Sequence, residues 1–113
     1  MIELFFLFSL KHFICDFPLQ AHPYLYGNKG KYGHPGGLIH AGIHGLGILL
    51  ILPAFPLAAL VDAVIHYHID FCKMRVNAHY GLKPDNSEWF WILLGFDQFL
   101  HYSTYARILL WLR

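Results

Sequence analysis

Four apolar stretches, at about residues 2–18, 37–52, 54–75 and 88–112, occupy most of this 113-residue chain, and each carries a pair of His or Asp residues four positions apart. Stretches of that length read as helices rather than strands. The polar connections 19–36 (LQAHPYLYGNKGKYGHPG) and 76–87 (VNAHYGLKPDNS) are rich in turn formers and predict irregular loops. Pro53 and Pro56 predict a tight turn between the second and third stretches. Asn86 or Ser87 is a suitable N-cap for the last helix. The pattern predicts one all-α domain, an antiparallel four-helix bundle running up-down-up-down.

Composition adds an environment to that fold. The chain is 57% hydrophobic and only 13% charged, whereas a soluble domain has about a quarter of its residues charged. The expectation is therefore a transmembrane bundle, a single membrane domain over 1–113 with the lipid bilayer as partner. The third and fourth stretches meet the roughly 20-residue requirement for a span, and the first two are short for it. Lys29, Lys31, Lys73, Arg75 and Lys83 flank the long loops, against Arg107 and Arg113 on the other side. That bias predicts cytoplasmic loops and outward-facing termini. Tyr24, Tyr26, Tyr32, Tyr80, Trp89 and Trp91 would form an aromatic belt. The N-terminus has Glu3, no basic leader and no small-residue cleavage site, so it reads as a retained helix. A net charge of +1 excludes the basic stripe of a nucleic-acid binder. Cys15 and Cys72 form no CxxC and suggest neither a disulfide framework nor a thiolate site.

The pairs His12/Asp16, His40/His44, His66/Asp70 and Asp97/His101 each stack on one helix face, and Asp62 extends the third pair by a turn. In the antiparallel bundle all four pairs fall in the loop-side half. They sort into two layers, with Asp16, His40, Asp70 and Asp97 nearer the loops and His12, His44, His66 and His101 deeper. Imidazole and carboxylate together suit a divalent metal, with zinc the first choice and iron or manganese alternatives. Eight ligands exceed what one ion takes, so one or two ions are expected. Gln20, Lys73, Gln98 and Asp62 are placed to orient ligands or take part in catalysis. Lys73 has two readings, one stabilising an oxyanion and one snorkelling at an interface. The whole cluster has a second reading as an interhelical polar network or an ion path. His22, His34, His68 and His79 fall in loops or off the shared face, where solvent-facing roles suit them better.

The ordered motifs His12-x3-Asp16-x3-Gln20, a loop lysine (Lys29 or Lys31), His40, His66-x3-Asp70-x2-Lys73 and Asp97-Gln98-x2-His101 span almost the whole chain. In this order they resemble a family of small bacterial and phage membrane proteins, domain of unknown function number 3307. The resemblance implies shared polar positions and a membrane location, the bacterial inner membrane or a host membrane if phage-encoded. His44 and Asp62 lie outside the shared motifs and rest on spacing alone. In size and in its His/Asp-bearing helices the chain is also similar to bacterial membrane-bound metal-dependent hydrolases. The function expected is a metal-dependent hydrolase acting on a lipid or other amphipathic ester or phosphoester. The alternatives are a di-iron oxidoreductase and a non-enzymatic ion or metal carrier or accessory subunit. Self-association or docking to a larger membrane partner is also expected, and no nucleic acid.

Overall fold

The computed structural model describes residues 1–112, which are all-helical: α1 Ile2–Asp16, α2 Pro23–Tyr26, α3 Pro35–Ile51, α4 Pro56–Tyr80 and α5 Glu88–Leu112. Local chemistry sets the boundaries. Pro23, Pro35 and Pro56 each open a helix, where the missing N–H costs nothing. The side chains of His22 and His34 cap α2 and α3 by accepting from the Tyr24 and Gly36 amides. Ser87 Oγ accepts from the Trp89 amide at the start of α5, while Asn86 closes the preceding turn through Lys83 and Gly81. The third helix of the sequence reading extends five residues past its expected end. It stops at Gly81, whose φ of 63° provides the left-handed cap that side chains avoid. The 19–36 connection holds the single turn α2, so five helices replace the expected four.

α1, α3, α4 and α5 form a closed ring in which α1 and α4 each pack against α3 and α5. The ring has two ends of different character. Phe8, Ile48, Ala58, Ala59, Tyr105, Ile108 and Leu109 form an apolar core at one end. They come from the middle of α1, the end of α3, the start of α4 and the end of α5, consistent with an antiparallel arrangement. The polar pairs occupy the end that carries the long connections. Small residues allow α3 and α4 to approach closely: a Cβ on Gly45 would lie 3.0 Å from the Ala63 Cβ and 3.1 Å from the Ala59 carbonyl oxygen.

The expected transmembrane bundle does not hold. Among the described residues no helix is long and apolar enough to cross a membrane. At about 1.5 Å per residue, α1 and α3 run about 23 and 26 Å, short of a hydrocarbon core of roughly 30 Å. α4 and α5 have the length, but Asp62, His66, Asp70, Lys73 and Arg75 interrupt the first and Asp97, Gln98, His101 and Arg107 the second. The integral-membrane location and the loop orientation argued from basic residues fall with it; Arg113 of that argument lies outside the described residues. The outer helix faces do expose large apolar side chains, among them Ile2, Leu50, Trp89, Phe99 and Trp111. Low charge density reflected this surface together with polar groups turned inward.

Lys11 threads past α3 at Gly47, where a Cβ would sit 2.4 Å from Lys11 Cγ. Gly42, on the exposed side of the same helix, has open space around it. Gly47→Ala is expected to destabilise the fold by about 1–3 kcal/mol through overpacking. Gly42→Ala is expected to stabilise it by about 0.5–1 kcal/mol through helix propensity. Urea unfolding of the two variants beside wild type checks both signs.

Candidate metal centre

Each helix of the ring delivers its pair to one buried volume. His12, Asp16, His40, His44, Asp62, His66, Asp70, Asp97 and His101 are all buried, as is Gln20. Lys73 and Gln98 are partly buried. Two groups of donors lie close enough to share an ion: Asp16, His40, His44 and His66, and then His66, Asp70 and His101. Their contacts cross between helices. Asp16 Oδ1 lies 2.7 Å from His44 Nε2, 3.2 Å from His40 Nε2 and 3.7 Å from His66 Nε2. Asp70 Oδ2 lies 3.0 Å from His66 Nε2 and 3.3 Å from His40 Nε2, and Asp70 Oδ1 is 3.3 Å from His101 Nε2. The His40 and His66 Nε2 atoms are 3.2 Å apart. Two ligand atoms on a tetrahedral ion with bonds of about 2.0–2.1 Å stand about 3.3–3.4 Å apart, so this spacing suits ligation.

Hydrogen bonding accounts for only part of the cluster. Asp70 Oδ2 has three nitrogens within 3.3 Å, those of Lys29, His40 and His66, yet makes no aligned hydrogen bond. Asp97 Oδ1 is likewise buried without a hydrogen-bond partner, 3.4 Å from His101 Nε2. His40 Nδ1 and His66 Nδ1 are also unpartnered. Ligation through Nε2 would place a proton on each Nδ1, and an unpaired buried N–H costs about 1–3 kcal/mol.

The remaining expected residues frame the two groups. His12 lies outside both: its Nδ1 meets Tyr105 OH at 2.6 Å, and its Nε2 meets Gln98 Oε1 at 2.6 Å and Asp16 Oδ2 at 2.9 Å. Asp97 also lies outside both, accepting from Gln98 Nε2 at 2.9 Å and facing Lys73 Nζ at 3.5 Å. Gln20 donates to the Asp16 carbonyl and accepts from Lys29. Of the two loop lysines, Lys29 is the buried one, 3.3 Å from Asp70. His22 and His34 are helix caps, and His68 bonds Tyr32 and the Val64 carbonyl on an exposed face.

Two residues of the network escaped the sequence reading. Lys11 is buried with its Nζ 2.9 Å from Tyr105 OH, 3.0 Å from His44 Nδ1 and 3.3 Å from Asp62 Oδ2. Tyr105, fully buried, joins Lys11 to His12. Lys11 precedes His12 directly and belongs to no pair at four-residue spacing. Its one sequence signal is Gly47, the gap that admits its stem, and that gap shows only once α1 and α3 are docked.

The electrostatics separate the imidazoles. Burial opposes ionisation of Asp16, but hydrogen bonds from His12, His40 and His44 outweigh it and hold the carboxyl well below its usual range. Asp70 is held low in the same direction: burial is overcome by His66 and Lys29, with further bonds from His101 and His40. Burial lowers His44 strongly, and lowers His66 to about 4 despite Asp70. These two rings therefore stay neutral at pH 7, the form a metal requires. They also stack, with centroids 3.6 Å apart, and His66 stacks on His101 at 3.9 Å. His40 and His101 go the other way: against burial, bonds to Asp16 and Asp70 raise His40, and bonds to Asp70 and Asp97 raise His101 to about 9. Burial lowers Lys11, with Asp62 pulling back.

An all-helical ring enclosing a histidine–carboxylate centre thus defines the class of protein. The chain belongs to the family described as protein of unknown function (DUF3307), which it matches over residues 4–112. No curated protein and no solved structure matches the chain.

The Lys11–Asp62 pair gives a direct test of the network's energetics. Asp62→Ala leaves a buried ammonium without its carboxylate and is expected to cost about 3–5 kcal/mol, whereas Lys11→Met with Asp62→Leu should recover most of that loss. Denaturant unfolding of the single and double variants checks the sign of the coupling.

Proposed function

We propose that the protein is a metal-dependent hydrolase whose His/Asp centre holds one or two divalent ions, with zinc the best match to the donors. The observation that carries this reading is Asp70 Oδ2, set among three nitrogens at ion-pair distance with no aligned hydrogen bond. Asp16, His40, His44 and His66 make a three-nitrogen, one-oxygen set suited to tetrahedral zinc. His66 belongs to both groups, and its Nε2 meets both carboxylates. A first ion on that set leaves Asp70 and His101 for a second, which would have to displace the proton that Asp70 and Asp97 hold on His101. Charge supports the same reading. Asp62, Asp70 and Asp97 each have a lysine, at 3.3, 3.3 and 3.5 Å, whereas Asp16 has only imidazoles as close ion-pair partners among the described residues.

What a divalent ion supplies in such a site is Lewis acidity and an acidified water. Hydrolysis is favoured because a cleft reaches Asp16 from outside, giving a substrate access that a purely structural ion does not need. In the reaction a water oxygen bonds to the acyl carbon or phosphorus, the ester bond breaks, and the leaving oxygen takes up a proton. Asp16 and Asp70 are held ionised, and His12, Gln98 and Lys29 hold their carboxylates in place.

Mass spectrometry of metals in untagged protein, purified without chelators, is expected to find one or two equivalents of zinc. His66→Ala with Asp70→Ala should lose them. Iron in place of zinc would turn the reading towards oxidation chemistry. No stoichiometric metal in folded protein would leave a polar helix–helix network and overturn the proposal.

A further inference from the structure

The cleft that reaches Asp16 has a volume of about 470 Å³, within the range of small-molecule sites. Its polar side carries Gln20, Lys29, Lys73, Asn77 and Gln98. Gln20, Lys29 and Gln98 are already engaged with the centre; Asn77 is not, and Lys73 meets it at one point. Among the described residues its one acidic neighbour is Asp97 at 3.5 Å, and no closer hydrogen bond uses its three N–H groups. Asn77, one helical turn further along α4, has its Oδ1 buried with no partner. Phe17, Tyr26 and Phe90 supply apolar walls.

Among the described residues Asp16 is the only carboxylate lining this cleft, and it is the charge that the proposed ion would compensate. A divalent ion there would exceed the single charge of Asp16, while Lys29 and Lys73 on the cleft lining already balance Asp70 and Asp97 behind it, so a ligand at the ion must bring negative charge. A divalent ion flanked by lysine N–H donors offers a phosphate group more charge and more hydrogen-bond partners than the single charge of a carboxylate requires. The aromatic walls call for an organic group on the same molecule.

We propose that the cleft binds phosphate esters. The phosphoryl group sits at Lys73 with Lys29 behind it, and the organic group lies against Phe17, Tyr26 and Phe90. The inference rests on the metal-hydrolase reading and narrows its substrate class.

Isothermal titration of the full chain with inorganic phosphate, phenyl phosphate and acetate tests it, with metal content measured on the same samples. Phosphate is expected to bind, phenyl phosphate to bind more tightly, and acetate to bind far more weakly. Lys73→Met should weaken both phosphates by about tenfold or more, and Lys73→Arg should retain most of the affinity. Phe90→Ala should erase the advantage of the phenyl group and leave inorganic phosphate unchanged, with metal content intact in every variant. Metal-loaded wild type that ignores phosphate, or binds acetate equally well, would overturn this inference and leave the metal centre standing. So would undiminished binding by Lys73→Met. Metal-free wild type that binds phosphate through Lys73 would keep the cleft and overturn the metal centre. Metal-free protein that binds no phosphate would overturn both.

Discussion

Burial of four aspartates inside the helix ring sets the terms for the rest of the structure. A carboxylate moved out of water loses several kcal/mol of solvation unless charge or hydrogen bonds replace it. Asp62, Asp70 and Asp97 recover it from Lys11, Lys29 and Lys73. Asp16 draws on His12, His40 and His44 instead, and those bonds hold it ionised against burial. The three lysines thus sit around the rim of the cluster and the imidazoles at its centre, an arrangement suited to a cation in the middle.

The same requirement shapes the packing. Polar groups on four helices meet at one level only if the helices keep their register, and the apolar core at the opposite end, with Phe8 and Ile48 fully buried, holds that register. Close approach at Gly45 and the passage for Lys11 at Gly47 bring α3 against its neighbours. Mutual neutralisation of buried ions contributes little net stability compared with well-packed apolar residues. The cluster is therefore better understood as a site that the apolar end supports than as the source of the fold's stability.

Much of the site was legible because a helix repeats every 3.6 residues. Side chains four apart in His12/Asp16, His40/His44, His66/Asp70 and Asp97/His101 must share a face whatever surrounds the helix. The helix starts at Pro35 and Pro56 were marked by the fixed φ of proline, although the patterning placed them two residues away. Environment was not legible. Apolar content and low charge read as a membrane span, yet the polar residues that break the hydropathy of α4 and α5 are the ones turned into the ring. Composition counts residues without recording which way they face.

The residues alone therefore determined an all-helical chain, its facing His/Asp pairs and the family motifs, because each depends on local spacing along one element. Tertiary structure decided what those pairs do. It separated His12 and Asp97 from the two groups able to share an ion, joined Asp16 on α1 to His40 and His44 on α3, and brought Lys11 and Tyr105 into contact across 94 positions of chain. It also placed Lys73 on the lining of the cleft. Those relations depend on how four helices are rotated and docked, and rotation is set by which apolar faces find one another, a property of the whole ring rather than of any segment.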